Sequence, residues 1–394
     1  MHFVLLPPLI ALALVLPATA APFRPTDDAQ VLERVAPRAT ADVRARETAA
    51  LRAQWQREPR NVELAVQLAR RWFDDGLAQG DPRFIGRAQA VLAPWWKDAA
   101  PPNAVRVQRA RLLQYGHRFD EALADLDAVL ADEADNAEAW ATAAAIRMVR
   151  ADYAGARRAC VAAAPLTTPL LATGCSAYAD ALAGRADEAA RALATALAAA
   201  PADTGTDARL WALTRQAEIE ELRGNDAAAE TAYRAAVALD LTDVYLQAAY
   251  ADFLLDRGRA ADALALLAKA DARADVILLR LALAAKASGD ARGAAWTREL
   301  AARFDAARAR GDTTHEKEES RFALALQGDP KRALALARAN YEVQREVADA
   351  RALLEAALAA KDAAAAAPVL EWMRAHGVPH PKLRALAAQV AALK

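Results

Sequence analysis

The stretch Gly224-Asn225-Asp226-Ala227-Ala228-Ala229-Glu230-Thr231-Ala232-Tyr233-Arg234-Ala235-Ala236 decides the fold, because its framework recurs on both sides of it. Gly224 is followed at offsets of 5 and 12 by Ala229 and Ala236. Gly184 is followed in the same way by Ala189 and Ala196, and Gly258 by Ala263 and Ala270. Gly224 and Gly258 lie 34 residues apart. A period of that length, with helix-forming residues on each side of every Gly, signals stacked helical hairpins. The Gly ends a first helix by taking left-handed backbone at little cost. The next Ala stands where the two helices of a hairpin approach too closely for a larger side chain. Tyr233 fills the space beside it, and Pro201 stops a second helix after Ala196.

This pattern resembles the tetratricopeptide repeat, in which small residues occupy three positions around a central Gly. Ala177, Ala189 and Ala196 fill them in one repeat, Ala217, Ala229 and Ala236 in the next, and Ala251, Ala263 and Ala270 in the third. Leu241 stands where the family pattern expects Pro. The resemblance implies an all-α, right-handed superhelical solenoid of stacked helix–turn–helix repeats with a C-terminal capping helix. Segments around Gly80-Asp81-Pro82 and Gly311-Asp312-Thr313-Thr314-His315 resemble, more narrowly, a family of exported bacterial repeat proteins without assigned activity.

The composition agrees with helix. Ala supplies more than a quarter of the 394 residues, while Gly and Pro number only 15 and 18. With 50 basic against 51 acidic residues, no net field draws the chain to nucleic acid. Residues 1–20 read as a signal peptide: Leu5 to Leu16 is apolar, and Ala18-Thr19-Ala20 ends it in the small-x-small pattern of signal peptidase. The apolar run is shorter than the roughly 18–20 residues a membrane span needs. Cleavage after Ala20 gives a soluble periplasmic or secreted protein with no membrane insertion. Residues 21–60 form a charged lead-in with one helical candidate, 61–376 the repeat array of roughly nine hairpins, and 377–394 the cap.

Familiar catalytic patterns are absent: the chain carries no phosphate-binding Gly-rich loop and no Gly-x-Ser-x-Gly elbow. His315-Glu316-Lys317-Glu318-Glu319 begins like the zinc-protease His-Glu-x-x-His helix but ends in Glu319, so the second imidazole is missing. His315, Glu318 and Glu319 remain candidates for a metal site, against the alternative of a solvated helix start. Export favours a disulfide between Cys160 and Cys175, which the repeat register places on adjacent helices. No cofactor is expected.

In the resembled family the first helices line the concave face that holds a protein or peptide partner. In the same register that face carries Tyr178, Trp211, Glu218, Tyr245, Asp252 and Glu318. Aromatic and acidic rows together suit an extended segment with apolar and basic side chains. The expectation is therefore a non-catalytic scaffold of the cell envelope that docks a partner segment in its groove. The alternative is a metal-binding or metal-dependent protein centred on His315, Glu318 and Glu319.

Overall fold

A computed structural model of the chain describes residues 43–312 and 314–393. The signal-peptide assignment lies outside the described residues. The chain separates into two units, Met1–Ala49 and Ala50–Lys394, with helix α1 (Val43–Arg57) spanning the junction. The described residues are helical throughout, without a strand.

Nine antiparallel pairs follow α1 in the larger unit. They are α2 (Val62–Gln79) with α3 (Pro82–Val91), α4 (Asn103–Tyr115) with α5 (Phe119–Asp132), and α6 (Ala137–Val149) with α7 (Tyr153–Ala163). Next come α8 (Pro169–Asp180) with α9 (Ala186–Ala199), α10 (Thr206–Arg223) with α11 (Asp226–Val237), and α12 (Val244–Asp256) with α13 (Ala260–Leu266). The last are α14 (Asp275–Ser288) with α15 (Gly293–Ala309), α16 (Glu316–Phe322) with α17 (Pro330–Val343), and α18 (Val347–Ala360) with α19 (Ala367–His376). A single helix, α20 (Pro381–Ala391), closes the array against α18.

The small residues do what their spacing requires. Ala217, Ala229, Ala236, Ala251 and Ala263 are completely buried, and Tyr233 is sealed beside them with its hydroxyl donating to Glu221 at 2.6 Å. Side-chain caps start the helices: Asn61, Asn136, Asn225 and Asp243 each accept a backbone N–H from the first turn. The third repeat departs from the pattern at its end. Helix α13 stops at Leu266 and tightens into a 3₁₀ turn, so Ala270 lies beyond the helix and is only half-buried.

The array curls back on itself, which the repeat register does not foretell. Gly80, at the end of α2, sits so close to the approach to α14 that an added Cβ would stand 2.8 Å from that of Ala274. The Val343–Val347 connection reaches the second and third pairs: the Arg345 N–H donates to the Val149 carbonyl at 2.8 Å, and Gln344 Nε2 lies 2.9 Å from His117 Nε2. Trp372 of α19 donates its indole N–H to the Tyr153 hydroxyl at 2.9 Å. Two turn glycines serve both ends of this contact. Gly184 (φ 87°) and Gly224 (φ 74°) end first helices in left-handed backbone, and a Cβ there would come within 2.9 Å of the His376 carbonyl and 2.8 Å of the Pro381 ring. Leu193, Ile219 and Leu222 consequently share one apolar cluster with Leu353, Leu354, Val369, Trp372 and Leu383.

Candidate functional site

The curl narrows the expected open groove into a partly open chamber of about 1280 Å³, lined mainly by the first helix of each pair. Tyr178, Trp211, Glu218, Tyr245, Asp252 and Glu318 all line it, with His315. Residues scattered over 140 positions of sequence thus share one wall, from Tyr178 on α8 to Glu318 on α16.

One end of that wall is aromatic. The Arg215 guanidinium lies 4.6 Å from the Tyr178 ring and 5.0 Å from the Tyr245 ring, and pairs with Glu218 at 2.9 Å. The Tyr245 hydroxyl donates to Glu218 at 2.5 Å. Burial raises the Glu218 carboxyl while the Arg215 charge pulls it down. Tyr245 keeps 48% of its surface open, yet protein surrounds it and burial drives its hydroxyl well up. The opening therefore faces the chamber. Trp211 is different: its ring fills the space at Gly174, where a Cβ would meet it at 2.5 Å, so it packs α10 on α8 as much as it faces the chamber.

The other end is ionic. Asp252 receives Arg280 at 2.7 Å and Arg321 at 2.8 Å, and Arg351 grips Asp256 at 2.6 Å. Burial alone would raise the Asp252 carboxyl, but the two guanidinium charges outweigh it and hold the group far below the usual range. Asp252 is thus spent within the fold and is not an open carboxylate for a basic ligand. Glu318 stands 3.7 Å from Arg280 and 3.9 Å from Lys317, and Lys317 lies 3.7 Å from Asp349. Burial acts against the Glu318 charge, and Lys317 and Arg280 keep it ionised.

The same geometry gives the acidic candidates of the His315 segment other partners. Glu319 pairs with Arg308 and Arg332, and Glu318 lies near Arg280 and Lys317. Among the described residues no three His, Cys, Asp or Glu side chains converge as a metal site. Cys160 of α7 and Cys175 of α8 are bonded, with their Cα atoms 5.6 Å apart.

Two further chamber carboxyls gain their character only in the fold. Glu221, one turn beyond Glu218 on α10, accepts the Tyr233 hydroxyl, and burial pushes it up to about 8. Glu346 precedes α18, where its side chain accepts the Asp349 N–H while Asp349 accepts its own. Burial and the neighbouring Asp349 charge raise Glu346 to about 7. Arg215, Arg280, Arg321 and Glu346 are not legible as site residues in the sequence. Only the capping spacing of Glu346 and Asp349 could have marked one of them.

The helix pairs, their glycine ends and their alanine register define a tetratricopeptide-repeat-like array. No known protein family matches the chain, and no curated protein does. Among solved structures it is similar to a chain of the APC/C hetero-tetramer Cut9–Hcn1, at 14% identity and a TM-score of 0.44 over 80% of this chain; it spans 59% of that one. It is similar to yeast Tom70 at 11% identity, TM-score 0.43, covering 89% of this chain and 85% of that one. A tetratricopeptide repeat protein from Parabacteroides merdae shares 15% identity, TM-score 0.36, over 74% and 98% of the two chains.

Proposed function

We propose that the chain is a non-catalytic protein-binding scaffold of the cell envelope that receives a segment of a partner protein in its chamber. One observation carries the reading: Tyr245 and Leu77 keep 48% and 46% of their surface uncovered on an inner wall. Tyr245 is the only exposed aromatic ring among the described residues, and apolar surface left open on a concave wall suits a partner that covers it. Chamber size supports a polypeptide segment, since small-molecule pockets usually occupy about 300–1,000 Å³. The apolar run and Ala18-Thr19-Ala20 support export, and the Cys160–Cys175 bond fits an oxidising compartment. Balanced charge argues against nucleic acid as the partner.

The test is selection of binders from an unbiased peptide display library on the full chain. Selected peptides should lose about 2 kcal/mol of affinity on Tyr245→Ala, an aromatic anchor's contribution, with the variant's melting transition retained. Peptides that bind the variant as well as the wild type refute the chamber as their site, and a selection without enrichment refutes the scaffold. The intact mass of the protein from its own cells should begin at Ala21; retention of residues 1–20 removes the envelope from the proposal.

A further inference from the structure

The aromatic end of the chamber has a charge pattern that selects among segments. The cations nearest it are already engaged: Arg215 by Glu218, Lys317 by Glu318 and Asp349, Arg280 and Arg321 by Asp252. Glu221 and Glu346 have no ion-pair partner among the described residues. The turn of α10 sets Glu221 beside Glu218, and the start of α18 brings Glu346 within electrostatic reach of Glu218. Glu218, Glu221 and Glu346 therefore line the chamber together with Tyr245, whose open ring Arg215 engages along with that of Tyr178. We infer that the docked segment presents a basic side chain, whose cationic head lies against Tyr245 among Glu218, Glu221 and Glu346. This rests on the scaffold reading and adds the chemistry of its ligand.

The energetics point the same way. Buried carboxyls without a paired cation are costly when ionised, so burial favours the protonated form of both Glu221 and Glu346. Around Glu221 stand Tyr233, Arg257, Glu218 and Asp256; burial is the largest influence and leaves it at about 8. Around Glu346 stand Asp349, Lys317, Arg215 and Glu218, with burial again first, and it settles at about 7. A guanidinium or ammonium brought by the ligand supplies the missing charge, and both groups then ionise. Binding accordingly releases protons, and the affinity rises with pH through this range. An acidic segment would add a like charge to the cluster, and a neutral one would leave it protonated.

The experiment uses the same display library on the full chain, followed by titration calorimetry of the strongest peptide. Arg or Lys should be enriched at one position, and replacing that residue by Leu should weaken binding about tenfold or more. Calorimetry in buffers of different ionisation enthalpy should register proton release for the basic peptide and none for its Leu version. Glu221→Gln and Glu346→Gln should shrink the gap between the two peptides; the amide introduced by Glu346→Gln keeps an acceptor for the α18 cap. Enrichment of acidic residues, or of apolar residues with no basic position, overturns the inference and leaves the scaffold standing. A basic peptide that binds without releasing protons, or equally well to both variants, overturns the assignment of its charge to these carboxyls. A library without binders fails the scaffold itself.

Discussion

The interior of the α10–α11 hairpin and the wall around Asp252 are held by opposite means. In the hairpin, Ala217, Ala229 and Ala236 bring two helices together by apolar contact, and Tyr233 fills what they leave. At Asp252 three helices meet through ions, with Arg280 coming from α14 and Arg321 from α16. The hairpin gains from apolar burial and close packing, whose contributions are local and cumulative. The ionic node gains only if every member is present, because each buried charge carries a desolvation cost. Small residues thus build the pairs, and charges fix the last pairs against the middle of the array. Such a node stabilises less than its short distances suggest, but it specifies which surfaces meet.

The sharpest break in that contrast is Asp252→Ala. It leaves Arg280 and Arg321 facing each other and should cost about 3 kcal/mol in denaturant unfolding. Adding Arg321→Met should recover part of the loss, and a double-mutant cycle with no coupling would make the node a surface pair in effect. Ala229→Trp comes next. The position has no free volume, and overpacking should cost about 2–3 kcal/mol. Arg234→Ala, on the outer face of the same hairpin, should leave the melting temperature unchanged; equal melting of both variants would remove the alanine register.

The smallest effect is a pH dependence. Glu221 is raised to about 8 by burial, so the folded state keeps a proton that the unfolded chain releases near its ordinary 4.5. Its contribution is present below about pH 4.5 and is lost progressively as pH rises through about 8. Asp252 acts in reverse, stabilising above its ordinary value and ceasing to do so in acid. Glu221→Gln should therefore raise the melting temperature at about pH 9 relative to wild type and change it little at about pH 5. An unchanged difference across that range would show that Glu221 ionises freely in the chamber.

The alanine framework was legible because every contact it makes recurs within one period. Ala229 meets α10, and Tyr233 reaches Glu221 only 12 residues away. The same register placed Glu218 and Tyr245 on one face, and they hydrogen-bond across 27 residues. The closure was not legible. It depends on a rotation accumulated over many pairs, and small packing differences at each step decide whether Gly80 arrives beside Ala274. Arg321, 69 residues from Asp252, is invisible to any local pattern for the same reason. The His315 segment read as a weak metal candidate or a solvated helix start, and the fold makes it neither plainly. Glu318 and Glu319 are buried, and Arg308 and Arg332, on the helices either side, claim Glu319.

The closure also sets a schedule for the ribosome. Chamber-lining residues run from Phe73 to Leu383, so the site draws on nearly the whole length of the array. The alanine contacts of an early hairpin are available as soon as that pair has been synthesised, because both partners are neighbours in sequence. Glu346, Arg351 and His380 emerge only near the end of translation. Every hairpin before α18 is therefore complete in the growing chain before the chamber wall is, and the wall closes only with the last pairs synthesised.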